Sequence, residues 1–299
     1  MSTLEFLAAP FVASLILTGI TTYLGVHVVE RGVIFVDLSL AQIAALGAAV
    51  GVLVGLDPHG TASYWTSLGF TVLGAVVFTL ARTRRAHIPQ EAFIGIAYAV
   101  ASAATILAMS KAVGETEHLK DMLVGNILAV SWDQNVRITA LCGLIGAFHY
   151  VFRRKFLLIS LNPQGAVAQG VSIRLWDFLF YASFGLVVTS AVAVAGVLLV
   201  FCYLIVPSVG AMLFADRIGP RLAIGWTMGT LVSALGVYLS LVLDLPTGAT
   251  IVCTFGGVLF VMFLVHLVVY HGKEARELHG ATLPGSAIRD ESRAANPRR

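Results

Sequence analysis

The stretch Phe35–Gly47, "FVDLSLAQIAALG", places Asp37, Ser39 and Gln42 in a run that is otherwise apolar. A charge held at the centre of such a segment costs roughly 2.5–3.5 kcal/mol on membrane-insertion scales, so residues of this kind usually face a cavity or a partner. The chemistry on offer is cation binding, with the amide as a weak neutral ligand; imidazole suits zinc and other first-row metals better. On an ideal helix Asp37 and Gln42 fall about 140° apart, so one regular helix cannot bring both to a single ion. Ser39 and Gln42, three apart, share a face. Two readings of Asp37 stand side by side. It lies shortly after Arg31 and could cap a helix start or reach headgroups, or it could mark the inner mouth of a path. Gln42, deeper in the segment, reads as path-facing or helix-bridging.

Other reactive constellations are missing. There is no G-x-x-x-x-G-K-S/T phosphate loop, no H-E-x-x-H and no C-x-x-C. The eight histidines are scattered. Cys142, Cys202 and Cys253 sit in apolar segments and are odd in number, which reads as small buried hydrophobes, not as a disulfide or zinc framework. The reading is of a chain without catalysis of its own, with no permanently bound cofactor and no nucleic-acid partner.

The elements that must position these residues follow from composition. Of 299 residues 58% are hydrophobic and only 12% charged, and the mean hydropathy is +0.89. A soluble chain carries about twice that charged fraction, so lipid must be the main solvent. A spanning helix needs about 20 apolar residues. Such segments lie near 6–28, 33–56, 62–81, 92–112, 135–152, 176–197, 199–215, 221–243 and 247–270. The expected fold is therefore all-α, a polytopic transmembrane bundle of about nine spans. Eight remain possible, because the run from Leu175 to Ala215 resolves into two helices only if the second is short and broken near Pro207.

Lys and Arg in short loops set the orientation. Arg82, Arg84 and Arg85 follow the third span, and Arg153, Arg154, Lys155 and Arg174 flank the loop after the fifth, so both loops read as cytoplasmic. The acidic "VGETEHLKDMLVGN" (113–126) between them reads as external. The start "MSTLEFLAAPF" lacks a basic region and a small-residue cleavage site, so no signal peptide is expected. Residues 1–270 form the transmembrane unit, and 271–299 are expected to be a cytoplasmic, disordered tail.

Within the loop after the fifth span, "LLISLNPQGAVAQG" (157–170) carries a further signal. Asn162 is a good N-cap, Pro163 suits the first helical position, and Gly170 stands where a helix C-terminus would put it. Gln164 and Ala166 lie between, with Gly165 and Ala168 adding a small-residue character. The expectation is a short helix on the inner surface, either an ordinary connector or a docking element for a soluble partner.

The same loop resembles that of the permease subunits of bacterial ABC importers for zinc, manganese or iron, with Asn162 where that family often has Asp. The resemblance extends through "GVHVVERGVIFVDLSLAQIAALG" (25–47), "EAFIGIAYAVASA" (91–103), "MLVGNILAVSWDQ" (122–134), "VAGVLLVFCYLIVPSVGAMLFADRI" (194–218) and "GVYLSLVLDLPTGATIV" (236–252). It implies a divalent metal as transported substrate across the bacterial inner (plasma) membrane and a permease homodimer in the lipid bilayer. It further implies a separate ABC ATPase docked on Asn162, Pro163, Gln164, Ala166 and Gly170, and an extracytoplasmic solute-binding protein. That family's second span usually reads F-x-G-D-A-x-S-H-A-x-x-x-G. Aligned on Phe35 and Gly47, its Asp falls on Leu38 and its His on Gln42, so the i, i+4 ligand pair is absent here. Asp37, Ser39 and Gln42 are the residues expected in the path instead. Two alternatives remain: a permease of this architecture for a chelated or organic substrate, of siderophore or cobalamin type, and an ion-gradient secondary transporter, which would want inverted repeats.

Overall fold

Inside a bilayer every backbone polar group must be satisfied within the protein, which leaves helices for a chain with these long apolar runs. The computed structural model describes residues 3–57, 60–82, 89–110 and 127–281, and no strand occurs among them. The elements are α1 (Thr3–Arg31), α2 (Val36–Leu53), α3 (Thr61–Ala81), α4 (Gln90–Met109), a short 3-10 turn at Ile127–Ala129, α5 (Trp132–Val151), α6 (Arg153–Leu161), α7 (Pro163–Ala168), α8 (Ile173–Ala195), α9 (Val197–Met212), α10 (Ile218–Leu243) and α11 (Thr247–Ala281). Arg84, Arg85 and the acidic stretch 113–126 lie outside the described residues.

Seven helices, α1–α4, α8, α10 and α11, are long and apolar enough to cross a membrane. An eighth crossing arises if α5 is taken with α6, from which it is bent by 74°. The opening turns of α5 carry Asp133, Asn135 and Arg137, which lowers its hydropathy. The remaining segment, α9, has 16 residues, about 24 Å at 1.5 Å per residue, against a hydrocarbon core of about 30 Å. The expected nine spans thus become seven clear ones, up to eight with the bent pair, and a short apolar helix. Because α9 packs against α1, α10 and α11, it is enclosed by protein and need not match the lipid thickness.

The break expected near Pro207 lies elsewhere. Gly196, at φ 80° and ψ 158°, separates α8 from α9, a conformation essentially reserved for glycine. Helix α9 then runs through Pro207 without interruption. Proline removes the hydrogen bond to the carbonyl four residues earlier, here Tyr203. That carbonyl accepts instead from Thr21 Oγ1 on α1, at 3.2 Å, in a bond that shares the one hydroxyl proton with Leu17 O at 2.7 Å. Ser208, the next residue, donates to Thr22 O at 3.1 Å and to Leu204 O at 2.8 Å. The proline is repaired by a neighbouring helix, so the two pack closely.

Helix α5 opens on a reciprocal cap: Ser131 Oγ accepts from Gln134 N–H, and Gln134 Oε1 accepts from Ser131 N–H. At the other end of the chain α11 continues past residue 270 to Ala281, and the rest of the expected tail, 282–299, lies outside the described residues.

Candidate functional site

Three groups of polar residues collect where α1 and α3 end and α2, α4 and α8 begin. The first lies at the start of α2. Asp37 is 2% exposed, and its Oδ1 is buried with no hydrogen-bond partner among the described residues. Glu91, in the first turn of α4, accepts at Oε1 from Phe35 N–H at 2.9 Å, and its Oε2 is likewise buried and unpartnered. Through its bond to Phe35 N–H, Glu91 sits at the start of α2, two residues before Asp37. Two carboxyl groups near the same helix start, one fully enclosed, form an arrangement whose ionised form a cation would stabilise. The positive ends of α2 and α4 favour carboxylates there as well.

The residues singled out from sequence therefore separate. Ser39 is fully buried and donates to Ile94 O on α4 at 3.1 Å, so its hydroxyl ties two helices together. Gln42 is half-buried further along α2, and Leu38 is half-buried beside Asp37. Glu91 was not among the residues expected in the path; its acidic type in the first turn of α4 was the available signal.

The second group is α7. Asn162 Oδ1 accepts from Gly165 N–H at 2.8 Å, and Pro163 begins the helix. At the other end Val171 N–H donates to Ala166 O and Gly170 N–H to Val167 O, both at 3.0 Å, with Gly170 at φ +71°. That is the paired closure in which glycine takes the left-handed position. Asn162, Pro163, Gln164, Val167 and Gly170 are exposed. Ala166 is not. It is 0% exposed and belongs to the apolar cluster that includes Phe156, Ile159 and Trp176. Its small side chain lets α7 sit on the bundle.

The third group was not foreseen. Asp177, on the first turns of α8, is fully buried and accepts from Arg31 Nη1 at 2.9 Å and from Arg82 Nη1 at 2.5 Å. Arg31 also donates from Nε to Ser160 Oγ at 2.9 Å and lies 4.0 Å over the Phe180 ring. Ser160 Oγ meets His27 Nδ1 at 2.8 Å. Nearby, Gln90 Nε2 donates to Tyr181 OH at 3.0 Å and to Phe78 O at 2.9 Å. A second buried histidine, His149, pairs through Nε2 with Ser183 Oγ at 2.8 Å. No group of three or more His, Cys, Asp or Glu that could hold a metal occurs among the described residues.

A bundle of long apolar helices with enclosed carboxylates and a capped surface helix is the build of a polytopic membrane protein. The model of the ABC 3 transport family matches residues 3–266, and the chain belongs to that family, as a multi-pass permease of the plasma membrane. It is 24% identical to the manganese transport system membrane protein MntC of Listeria innocua, over 87% of this chain and 90% of that one. The manganese import system permease protein ScaB of Streptococcus parasanguinis is 23% identical, over 92% of this chain and 96% of its own. The chelated iron transport system membrane protein YfeC of Yersinia pestis is 24% identical, over 80% and 79%. Among solved structures, PsaBC from Streptococcus pneumoniae in complex with Fab superposes with a TM-score of 0.73 at 22% identity, covering 87% of this chain and 92% of that one. That likeness supports the same fold.

Proposed function

We propose that this chain is the permease subunit of an ABC importer for a divalent metal ion of the manganese or iron type. A separate ATPase binds the exposed side of α7, an extracytoplasmic binding protein delivers the ion, and two permeases work as a homodimer. The metal is cargo, and the nucleotide chemistry belongs to the partner. The observation that carries the cargo class is the Asp37–Glu91 carboxylate pair, in which Asp37 Oδ1 and Glu91 Oε2 are buried with no hydrogen-bond partner among the described residues. Carboxylate and carbonyl oxygens suit manganese, whereas imidazole favours zinc, copper and iron. With Leu38 and Gln42 at the positions of the family's Asp and His, zinc and iron both rank behind manganese on ligand chemistry, and iron is kept by the iron-transport relative. The names of the manganese relatives agree with this order. The relationship to YfeC keeps a chelated cargo as the second reading.

Elemental analysis of cells with and without the gene tests the proposal, repeated with Asp37→Asn and Glu91→Gln. Cellular manganese or iron should fall on deletion, and each variant should restore less than the wild type while inserting normally. A fall in zinc alone, or wild-type accumulation by both variants, would sink the manganese-type reading.

A further inference from the structure

Asp177 ties together elements that are far apart in sequence, and their identities make the tie informative. Through Arg31 it holds the end of α1, just before the turn that leads to Asp37. Through Arg82 it holds the end of α3, ahead of α4 and Glu91. Arg31 reaches Ser160 in the last turn of α6, and Asn162, the cap of α7, follows two residues later. Trp176, the neighbour of Asp177, packs edge-on against Phe156 of α6, with ring centroids 5.3 Å apart. Phe156 shares the apolar cluster that buries Ala166. Asp177 thus links α6, on which α7 sits, to the two helix starts that carry Asp37 and Glu91.

The charges explain why such a link is stiff. One carboxylate is shared by two guanidiniums, with Asp177 fully enclosed and the Arg31 side chain 3% exposed. Charged hydrogen bonds are strong and directional where water is excluded. A shift of α6 and α7 away from Arg31 would leave its buried Nε without the Ser160 acceptor, and a shift of α1 or α3 against α8 would strand a buried charge. Packed elements of this kind move between discrete arrangements instead of deforming continuously.

We propose that the Arg31–Asp177–Arg82 triad is the transmission element of the transporter, with Asp177 a positioning residue that carries motion of α7 to the Asp37–Glu91 end of α2 and α4. The proposal rests on the reading of α7 as the ATPase dock. Its distinctive consequence is on coupling: breaking the triad should leave the ATPase bound and hydrolysing while fewer ions cross per ATP.

The test uses the permease with its ATPase in proteoliposomes, with manganese(II) as the probe, and reads three quantities: ATPase captured, ATP hydrolysed, and manganese moved per ATP. Asp177→Asn keeps shape and removes the shared charge. It should capture ATPase as the wild type does and hydrolyse ATP within about two-fold, while manganese per ATP falls by roughly 10-fold, the change that about 1.4 kcal/mol between the productive and the futile barrier gives. Arg82→Gln, on the arm that is 26% exposed, should lower the same ratio less, and it decides the matter alone if Asp177→Asn does not insert. An unchanged ratio overturns the proposal, whether both activities stay normal or fall together. So does loss of ATPase capture, since the triad would then only shape the docking face. Val167→Asp, on the exposed side of α7, separates the two ideas. If it still captures ATPase, the dock is elsewhere, while the ratio measured for Asp177→Asn continues to report on the triad.

Discussion

At the residue scale, the departures from the family pattern at Leu38 and Gln42 are the most informative. Two ligands at i and i+4 lie on one helix face, one above the other, and Asp followed by His would hold a first-row metal there. The present pair offers an aliphatic side chain and an amide, and the nearest carboxylate, Asp37, is turned off that face. Leu38 and Gln42 are both half-buried in the structure, and Asp is smaller than Leu while His is close to Gln in size, so neither change overpacks the segment. The double variant Leu38→Asp with Gln42→His should raise the bound zinc stoichiometry of the purified permease over wild type and slow manganese uptake, through tighter retention. Bound-metal stoichiometry after gel filtration checks it, and equal zinc content in both proteins would count against a ligand position on this face.

At the scale of elements, the contact between α1 and α9 shows how a short helix with an internal proline is made tolerable. Pro207 frees the Tyr203 carbonyl, and Thr21 Oγ1 supplies a donor that it shares between Tyr203 O and Leu17 O, the latter at 2.7 Å. Tyr203 is itself fully buried, so no water can substitute easily. Replacing Thr21 with Val keeps the shape and removes the donor, leaving a buried carbonyl unpaired at a cost of about 1–3 kcal/mol. Thermal aggregation of the detergent-solubilised permease should shift down for Thr21→Val, and Thr21→Ser should recover most of the loss. A Val variant as stable as wild type would mean that the Tyr203 carbonyl finds another partner.

At the scale of the whole molecule, the meeting of Arg31, Arg82, Ser160 and Asp177 puts the ends of α1, α3 and α6 and the start of α8 at one end of the bundle. Charge counting in the loops assigned that same end to the cytoplasm. Asp244, exposed where α10 ends, follows a helix that leaves this end antiparallel to α1, since Trp226 Nε1 bonds Gly19 O at 3.0 Å and Arg221 pairs with Glu30. In a background lacking Cys142, Cys202 and Cys253, Asp244→Cys should react with an impermeant thiol reagent on intact spheroplasts. Gln164→Cys, on the exposed side of α7, should react only after lysis. Labelling of Gln164→Cys from outside would reverse the orientation and remove α7 from the reach of any cytoplasmic ATPase.

What the sequence determined by itself is what depends on neighbours along the chain. Hydropathy over about 20 residues decided that lipid is the solvent and where most helices run. Asn162, Pro163 and Gly170 decided the short helix α7, because caps act within one turn. Only the tertiary structure decided which side of each helix meets protein. Lipid and protein interior are both apolar, so the pattern that sorts inside from outside in water is largely lost in a membrane. Nothing local distinguishes Ala166, fully buried, from Ala168, exposed, or shows that Ser39 is spent on Ile94. Nor could spacing pair Asp177 with Arg31, 146 positions away, and Arg82, 95 away. Those partners meet because enclosed charges must find one another, and where they meet is set by the packing of the helices that carry them.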